Sequence, residues 1–152
     1  RSAIGVSNFY PDRLVDLCSF VEVKPAINQV ETHIFQQQTA AHEYMEKYGV
    51  QHESWGPFAE GRKDFFTNPV LNEIGKKHDK SAAQVALRFL LQSDVVVIPK
   101  STHKERMEEN INVFDFALDA NDMNAIRALD EKESLFFSHY DPAIAEMMIK
   151  LH

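Results

Sequence analysis

The sequence holds a single cysteine, Cys18. It therefore cannot form an internal disulfide, and it suits a reducing compartment, which is expected to be the cytoplasm. Glycine is sparse as well, five residues in 152. None falls into the G-x-G-x-x-G turn of a dinucleotide-binding fingerprint or into a G-x-x-x-x-G-K-S/T phosphate loop. No apolar run approaches the roughly 20 residues that a helix needs to cross a bilayer. Positive charge is in deficit, 16 Lys and Arg against 23 Asp and Glu, for a net charge of −7 with His neutral. That balance argues against nucleic acid as the main partner. There are seven histidines, but no H-E-x-x-H pair and no Cys–His cluster for a metal, and no G-x-S-x-G for an acyl-transfer nucleophile. His33, His42, His52 and His78 are read as structural or surface residues. Cys18 falls on an apolar face with Leu14, Leu17 and Val21 and reads as a small buried hydrophobe.

What is present is a regular alternation. Four short β-rich runs, at residues 3–6, 26–30, 50–54 and 95–98, are separated by helix-period segments at 12–21, 39–48, 70–77 and 82–91. Helices at 103–110 and 120–129 follow. Strand and helix in alternation imply a parallel sheet with crossover helices. Ser81 with Gln84 and Thr102 with Glu105 have the spacing of capping boxes, and Asp119 is placed to cap the last helix. Residues 55–69 lack a period and read as a long loop of the kind that serves binding. The tail beyond Leu129, with Phe136, Phe137, His139 and Tyr140, is expected to pack over the body.

With no Gly-rich first turn, a doubly wound fold gives way to a (β/α)8 barrel, in which polar groups gather at the C-terminal ends of the strands. Four units make only half of such a barrel, which needs on the order of 250 residues. The chain opens at Arg1 directly in a strand-like stretch without a leader, and reads as a piece of something longer: a single partial domain over 1–152. A half barrel would carry two open sheet edges and an uncovered apolar interior, and would seek a partner.

Four groups of residues carry chemistry, each with an ordinary alternative. Ser7 and Asn8 offer a hydroxyl and an amide to a ligand, or cap the helix behind Pro11. Asn28 and Gln29, two carboxamides inside an apolar strand, either face a ligand or form a satisfied polar layer. Trp55, the sole tryptophan, either stacks on a flat heterocycle or packs on its own loop. The apolar run 95–98 ends in Pro99, Lys100, Ser101 and a helix start bearing His103, Lys104 and Arg106. Unpaired backbone N–H groups and added cations there suit a phosphate; the alternative is a solvated basic helix start.

These residues carry a family resemblance. Ile4 to Phe9, Asn28-Gln29-Val30-Glu31, Ile98-Pro99-Lys100-Ser101 with Arg106 and Glu109-Asn110, and Val113-Phe114-Asp115-Phe116 resemble the aldo-keto reductases in order and spacing. The Glu53-Ser54-Trp55-Gly56-Pro57 loop and the Phe136-Phe137-Ser138-His139 tail are most similar to the bacterial 2,5-diketo-gluconate reductase branch. The resemblance implies the last four βα units of a (β/α)8 barrel plus a C-terminal helix and tail. It implies NADP(H) as cofactor, and reduction of aldehydes and ketones to alcohols. Ser7, Asn8 and Gln29 would bind the nicotinamide carboxamide, and Trp55 would stack on its ring. Gly56, Pro57, Phe58 and Glu60 would line the pyrophosphate. Lys100, Ser101, Thr102 and Arg106 would hold the adenosine 2′-phosphate, favouring NADP over NAD, and Glu109 and Asn110 would meet the adenine. The family's catalytic Asp, Tyr, Lys and His come from the first four strands, which lie upstream of Arg1, so no catalytic residue is assigned and the chain alone is expected to be inactive. Expected partners are a small carbonyl substrate and the missing N-terminal half or a second copy, with no membrane. A nucleotide-binding or assembly module without turnover is the alternative. A phosphate-handling lyase or isomerase is disfavoured, because a sugar phosphate has no use for Ser7, Asn8 and Gln29.

Overall fold

The computed structural model of the protein describes residues 4–98 and 103–136. Strand β1 (Gly5–Ser7) leads to helix α1 (Pro11–Phe20), β2 (Ile27–Glu31), α2 (Thr39–Tyr48) and β3 (Gln51–Trp55). After 3-10 turns at Ala59–Thr67 come α3 (Pro69–His78), α4 (Ala82–Gln92), β4 (Val96–Val97), α5 (Lys104–Ile111) and α6 (Ala120–Arg127). The strands form one sheet in the order β1-β2-β3-β4, all pairs parallel. Sequential parallel strands joined by helices are the expected half of a barrel. Element ends differ from the side-chain pattern by a residue or two, because the hydrogen-bond ladder decides them. The last strand is the shortest, pairing only Val96 with Glu53 and Val97 with Ser54.

Local side-chain caps account for three of the six α-helix starts among the described residues. The Ser81 hydroxyl accepts from the Gln84 amide while Gln84 Oε1 accepts from the Ser81 amide, completing the expected box on α4. Asp119 and Asp122 do the same for α6. Asn68 caps α3 ahead of Pro69. Gly49, at φ +69°, ends α2 in the left-handed conformation that glycine adopts without strain. The expectation at Thr102 needs correction. Helix α5 has His103 at its N-cap and no side-chain cap there, so Glu105 falls at the second helical position and cannot close the box. Thr102 itself lies outside the described residues.

The two faces of the sheet differ. Toward the helices, Val30 packs with Leu14, Cys18, Ala41, Met45 and Val50, so Cys18 is the core hydrophobe expected. A larger cluster, including Ile34, Phe65, Leu71, Val85, Phe89 and Ile126, fills the space among the 3-10 turns, α3, α4 and α6. Polar groups on the helix side find partners. Thr32 Oγ1 lies 2.7 Å from His52 Nε2, and His52 Nδ1 lies 3.0 Å from His42 Nδ1. Burial, with His42 beside it, pushes the His52 pKa down to about 4.

The opposite face, by register, carries Gly5, Ser7, Ile27, Gln29, Glu31, Gln51, Glu53, Trp55 and Val96. It is therefore largely polar. Ile27 and Val96 are its large exposed apolar side chains among the described strand residues. The expected apolar interior is corrected accordingly: strand alternation sends Val30 and Val97 to the helix side.

Candidate functional site

The site is built at the C-terminal ends of three adjacent strands. Asn8 follows β1 in a left-handed conformation, φ 57°. Its amide donates to the Gln29 carbonyl at 2.8 Å, continuing the β1–β2 ladder one residue past the strand. Its Oδ1 accepts from the indole Nε1 of Trp55 at 2.8 Å, so Asn8 on β1 is tied to β3 across the end of β2. The helix-capping alternative for Ser7 and Asn8 is not realised, because Tyr10 holds the N-cap of α1 and that cap has no side-chain hydrogen bond.

The two neighbouring carboxamides on β2 part company. Asn28 is fully buried and satisfied locally: Nδ2 donates to the Phe9 carbonyl at 2.8 Å and Oδ1 accepts from the Phe9 amide at 3.3 Å. It pins the loop that carries Asn8. Gln29 points to the open face, where its Nε2 donates to Glu53 Oε1 at 2.8 Å. The Ser7 hydroxyl donates to the Gln29 carbonyl at 3.3 Å.

A cavity of about 270 Å³ opens beside this cluster, and Gln29, Trp55, Gly56, Pro57, Phe58 and Glu60 line it together, with Ser54 and Ile98. Gly56 turns the chain at φ +66°, and a Cβ there would touch the Phe136 ring at 3.6 Å. Ala59, Glu60, Lys63 and Asp64 are also left-handed, an accumulation of backbone strain in one loop of the kind found at binding sites. A second cavity, about 470 Å³, is lined by Phe58, Ser81, Arg106, Glu109 and Asn110 among others. Phe58 belongs to both walls. Gln84, having closed its capping box, also donates from Nε2 to the Glu109 carbonyl at 2.9 Å, fixing the end of α5 against α4. The expected residues thus fall along two adjoining cavities, with Ser7 and Asn8 beside the first. Lys100, Ser101 and Thr102 lie outside the described residues, leaving Arg106 as the expected phosphate cation among the described ones.

Three contributors escaped sequence reasoning. Phe136 packs on Trp55 with ring centroids 5.3 Å apart, and the Arg62 guanidinium sits 4.5 Å over the Phe136 ring. Glu53 partners Gln29. No motif marks these three roles; alternation alone places Glu53 on the face of Gln29, and the tail contact is non-local. The tail itself is anchored by Glu31, whose carboxylate accepts from Ser134 and from the Leu135 amide and pairs with His33. Burial would raise the Glu31 carboxyl, but the hydrogen bonds from His33, Ser134 and Leu135 outweigh it and hold the group below its ordinary value. The tail therefore packs over the body up to Phe136; Phe137, Ser138, His139 and Tyr140 lie outside the described residues. His33, His42, His52 and His78 make structural contacts, His78 with Asp122 at 2.9 Å.

Comparison with known proteins gives a consistent set. The model of the aldo/keto reductase family matches residues 2–131. The chain is 46% identical over 129 residues to the uncharacterized oxidoreductase YtbE of Bacillus subtilis, covering 85% of this chain and 45% of that protein. Among solved structures it resembles MGS-M4, an aldo-keto reductase enzyme from a deep-sea metagenome library, with a TM-score of 0.88 and 40% identity over 91% of this chain and 52% of that one. A Gox0644 mutant in complex with NADPH aligns with a TM-score of 0.83 and 40% identity, covering 90% of this chain and 49% of the other. The chain spans about half the length of the curated relatives it matches.

Proposed function

The chain belongs to the aldo/keto reductase family, and from that premise we propose that it is the cofactor-holding C-terminal half of an NADPH-dependent reductase of aldehydes and ketones. The observation that carries this reading is the meeting of Asn8, Gln29 and Trp55 at the ends of three adjacent strands, with Gln29 and Trp55 lining one cavity. Their donor set fits a nicotinamide. Asn8 has its oxygen engaged by Trp55 and retains Nδ2 as donor; Gln29 has its nitrogen engaged by Glu53 and retains Oε1 as acceptor. One donor and one acceptor match a primary carboxamide, and the half-exposed Trp55 supplies a flat face beside them.

The remaining assignments are those the family resemblance implies, and the two cavities support the ones that fall among the described residues. Gly56, Pro57, Phe58 and Glu60 line the route for the pyrophosphate, and Glu109 and Asn110 meet the adenine. Arg106, with Lys100, Ser101 and Thr102, holds the 2′-phosphate; the planar guanidinium suits a bidentate phosphate contact. NADPH supplies the hydride when bound. This chain's residues bind and orient the cofactor, and none is assigned to protonate the carbonyl oxygen, so the chain alone is inactive. Its partner is the missing N-terminal half or a second copy meeting the sheet edges at β1 and β4. The single buried Cys18 agrees with the cytoplasm. Within the family we place the chain nearest the 2,5-diketo-gluconate reductase branch, on its Trp55 loop and Phe136 tail.

Trp55 provides the test. NADPH should quench its fluorescence and NADH far less; silence with both would overturn the proposal. Consumption of NADPH with an added aldehyde by the purified chain would overturn the claim of inactivity and leave the binding claim standing.

A further inference from the structure

Glu53 is an acid without an evident task. It sits half-buried on the open face of the sheet, and among the described residues no ion pair engages it. Among the described residues its one side-chain hydrogen bond is from Gln29 Nε2, at 2.8 Å. Register places Ser7, Gln29, Glu53 and Val96 side by side across all four strands, so Glu53 is the immediate neighbour of Gln29 on β3.

A carboxamide ordinarily has two orientations differing by a half-turn, and its surroundings decide between them. An ionised carboxylate only accepts hydrogen bonds. Beside Glu53, the nitrogen of Gln29 must face the acid and the oxygen must face away from it. The opposite orientation would set an oxygen against an oxygen. We propose that Glu53 is a positioning residue that locks the Gln29 side chain with Oε1 presented to the cavity, so that Gln29 accepts from the amide NH2 of a nicotinamide and cannot donate to it. The mirror-image arrangement holds at Asn8, where the indole donor of Trp55 can only face an oxygen. The two carboxamides are therefore fixed in opposite senses by neighbours of opposite character, one a pure acceptor and one a pure donor. This inference rests on the nicotinamide reading of the site.

The test uses the 152-residue chain and three probes: NADP+, its 3-acetylpyridine analogue, in which a methyl replaces the NH2, and 2′,5′-ADP, which lacks the nicotinamide half. In Glu53→Leu, affinity for NADP+ should fall about tenfold, the size of one well-made hydrogen bond. Affinity for 2′,5′-ADP should stay within about twofold, and affinity for the acetylpyridine analogue should not fall, since that ligand has no NH2 to offer Gln29. An unchanged affinity for NADP+, or equal losses for NADP+ and its analogue, would overturn the positioning role. A loss of 2′,5′-ADP binding would mark damage to the fold. Glu53→Gln, which keeps the shape but ends the one-way lock, would then be read by the same criteria. If the unmodified chain bound neither NADP+ nor 2′,5′-ADP, the cofactor reading itself would fail. If it bound 2′,5′-ADP as tightly as NADP+, only the positioning inference would.

Discussion

Asn28 and Gln29 are the same chemistry one residue apart, and they do different work. Asn28 faces the helices, is fully buried, and exchanges both of its polar ends with the backbone of Phe9. Gln29 faces the open side with its nitrogen held by Glu53, and in the proposed site its oxygen serves the cofactor. The contrast extends to their neighbours: on the helix side His52 and Ser54 are buried and paired, while on the open face Ser7 is exposed and Gln29 and Glu53 are half-buried. Stability and binding are therefore expected to separate by face.

The largest effect should come from the closed side. Phe65 is wholly buried in the main cluster, and Phe65→Ala should cost about 3–5 kcal/mol, seen as a collapse of the denaturant midpoint. Acid should act on the same side through His52. Its folded pKa of about 4 lies below the ordinary 6.5, so the unfolded chain takes up the proton first. Stability is full above pH 6.5 and falls as the pH drops toward 4, by about 3 kcal/mol in all. His52→Gln should flatten that part of a stability–pH profile. Next, Asn28→Ala should cost about 2 kcal/mol by leaving the partly buried Phe9 backbone without its partner. In thermal melts Gln29→Leu should change stability by less than about 0.5 kcal/mol, yet weaken NADPH binding about tenfold in calorimetry. Reversal of the last two, with Gln29 controlling stability and Asn28 controlling affinity, would break the comparison.

How much of this was legible in the sequence also divides by face and range. The βα rhythm, the capping boxes at Ser81 and Asp119 and the burial of Cys18 are local in the chain, and period and spacing reveal them. The gathering of Asn8, Gln29 and Trp55 followed from placing each at a strand end. The box at Thr102 does not form as spaced because His103 takes the N-cap and the helix begins at Lys104, which Ser/Thr spacing alone does not reveal. An apolar interior is what a half barrel implies in general, whereas alternation along these particular strands assigns Val30 and Gln29 to opposite faces. Phe136 on Trp55 and Arg62 on Phe136 join segments about 75 residues apart or more, which no spacing rule reaches.

The single indole N–H resonance of Trp55, followed together with the side-chain amides of Asn8 and Gln29 in a nitrogen–proton correlation spectrum, reports the convergence of the three strand ends most directly. With NADPH the three should shift together at one dissociation constant; with 2′,5′-ADP they should stay while the amides of α5 move. Shifts confined to α5 with both ligands, leaving Trp55, Asn8 and Gln29 untouched by NADPH, would contradict a nicotinamide site at the ends of these strands.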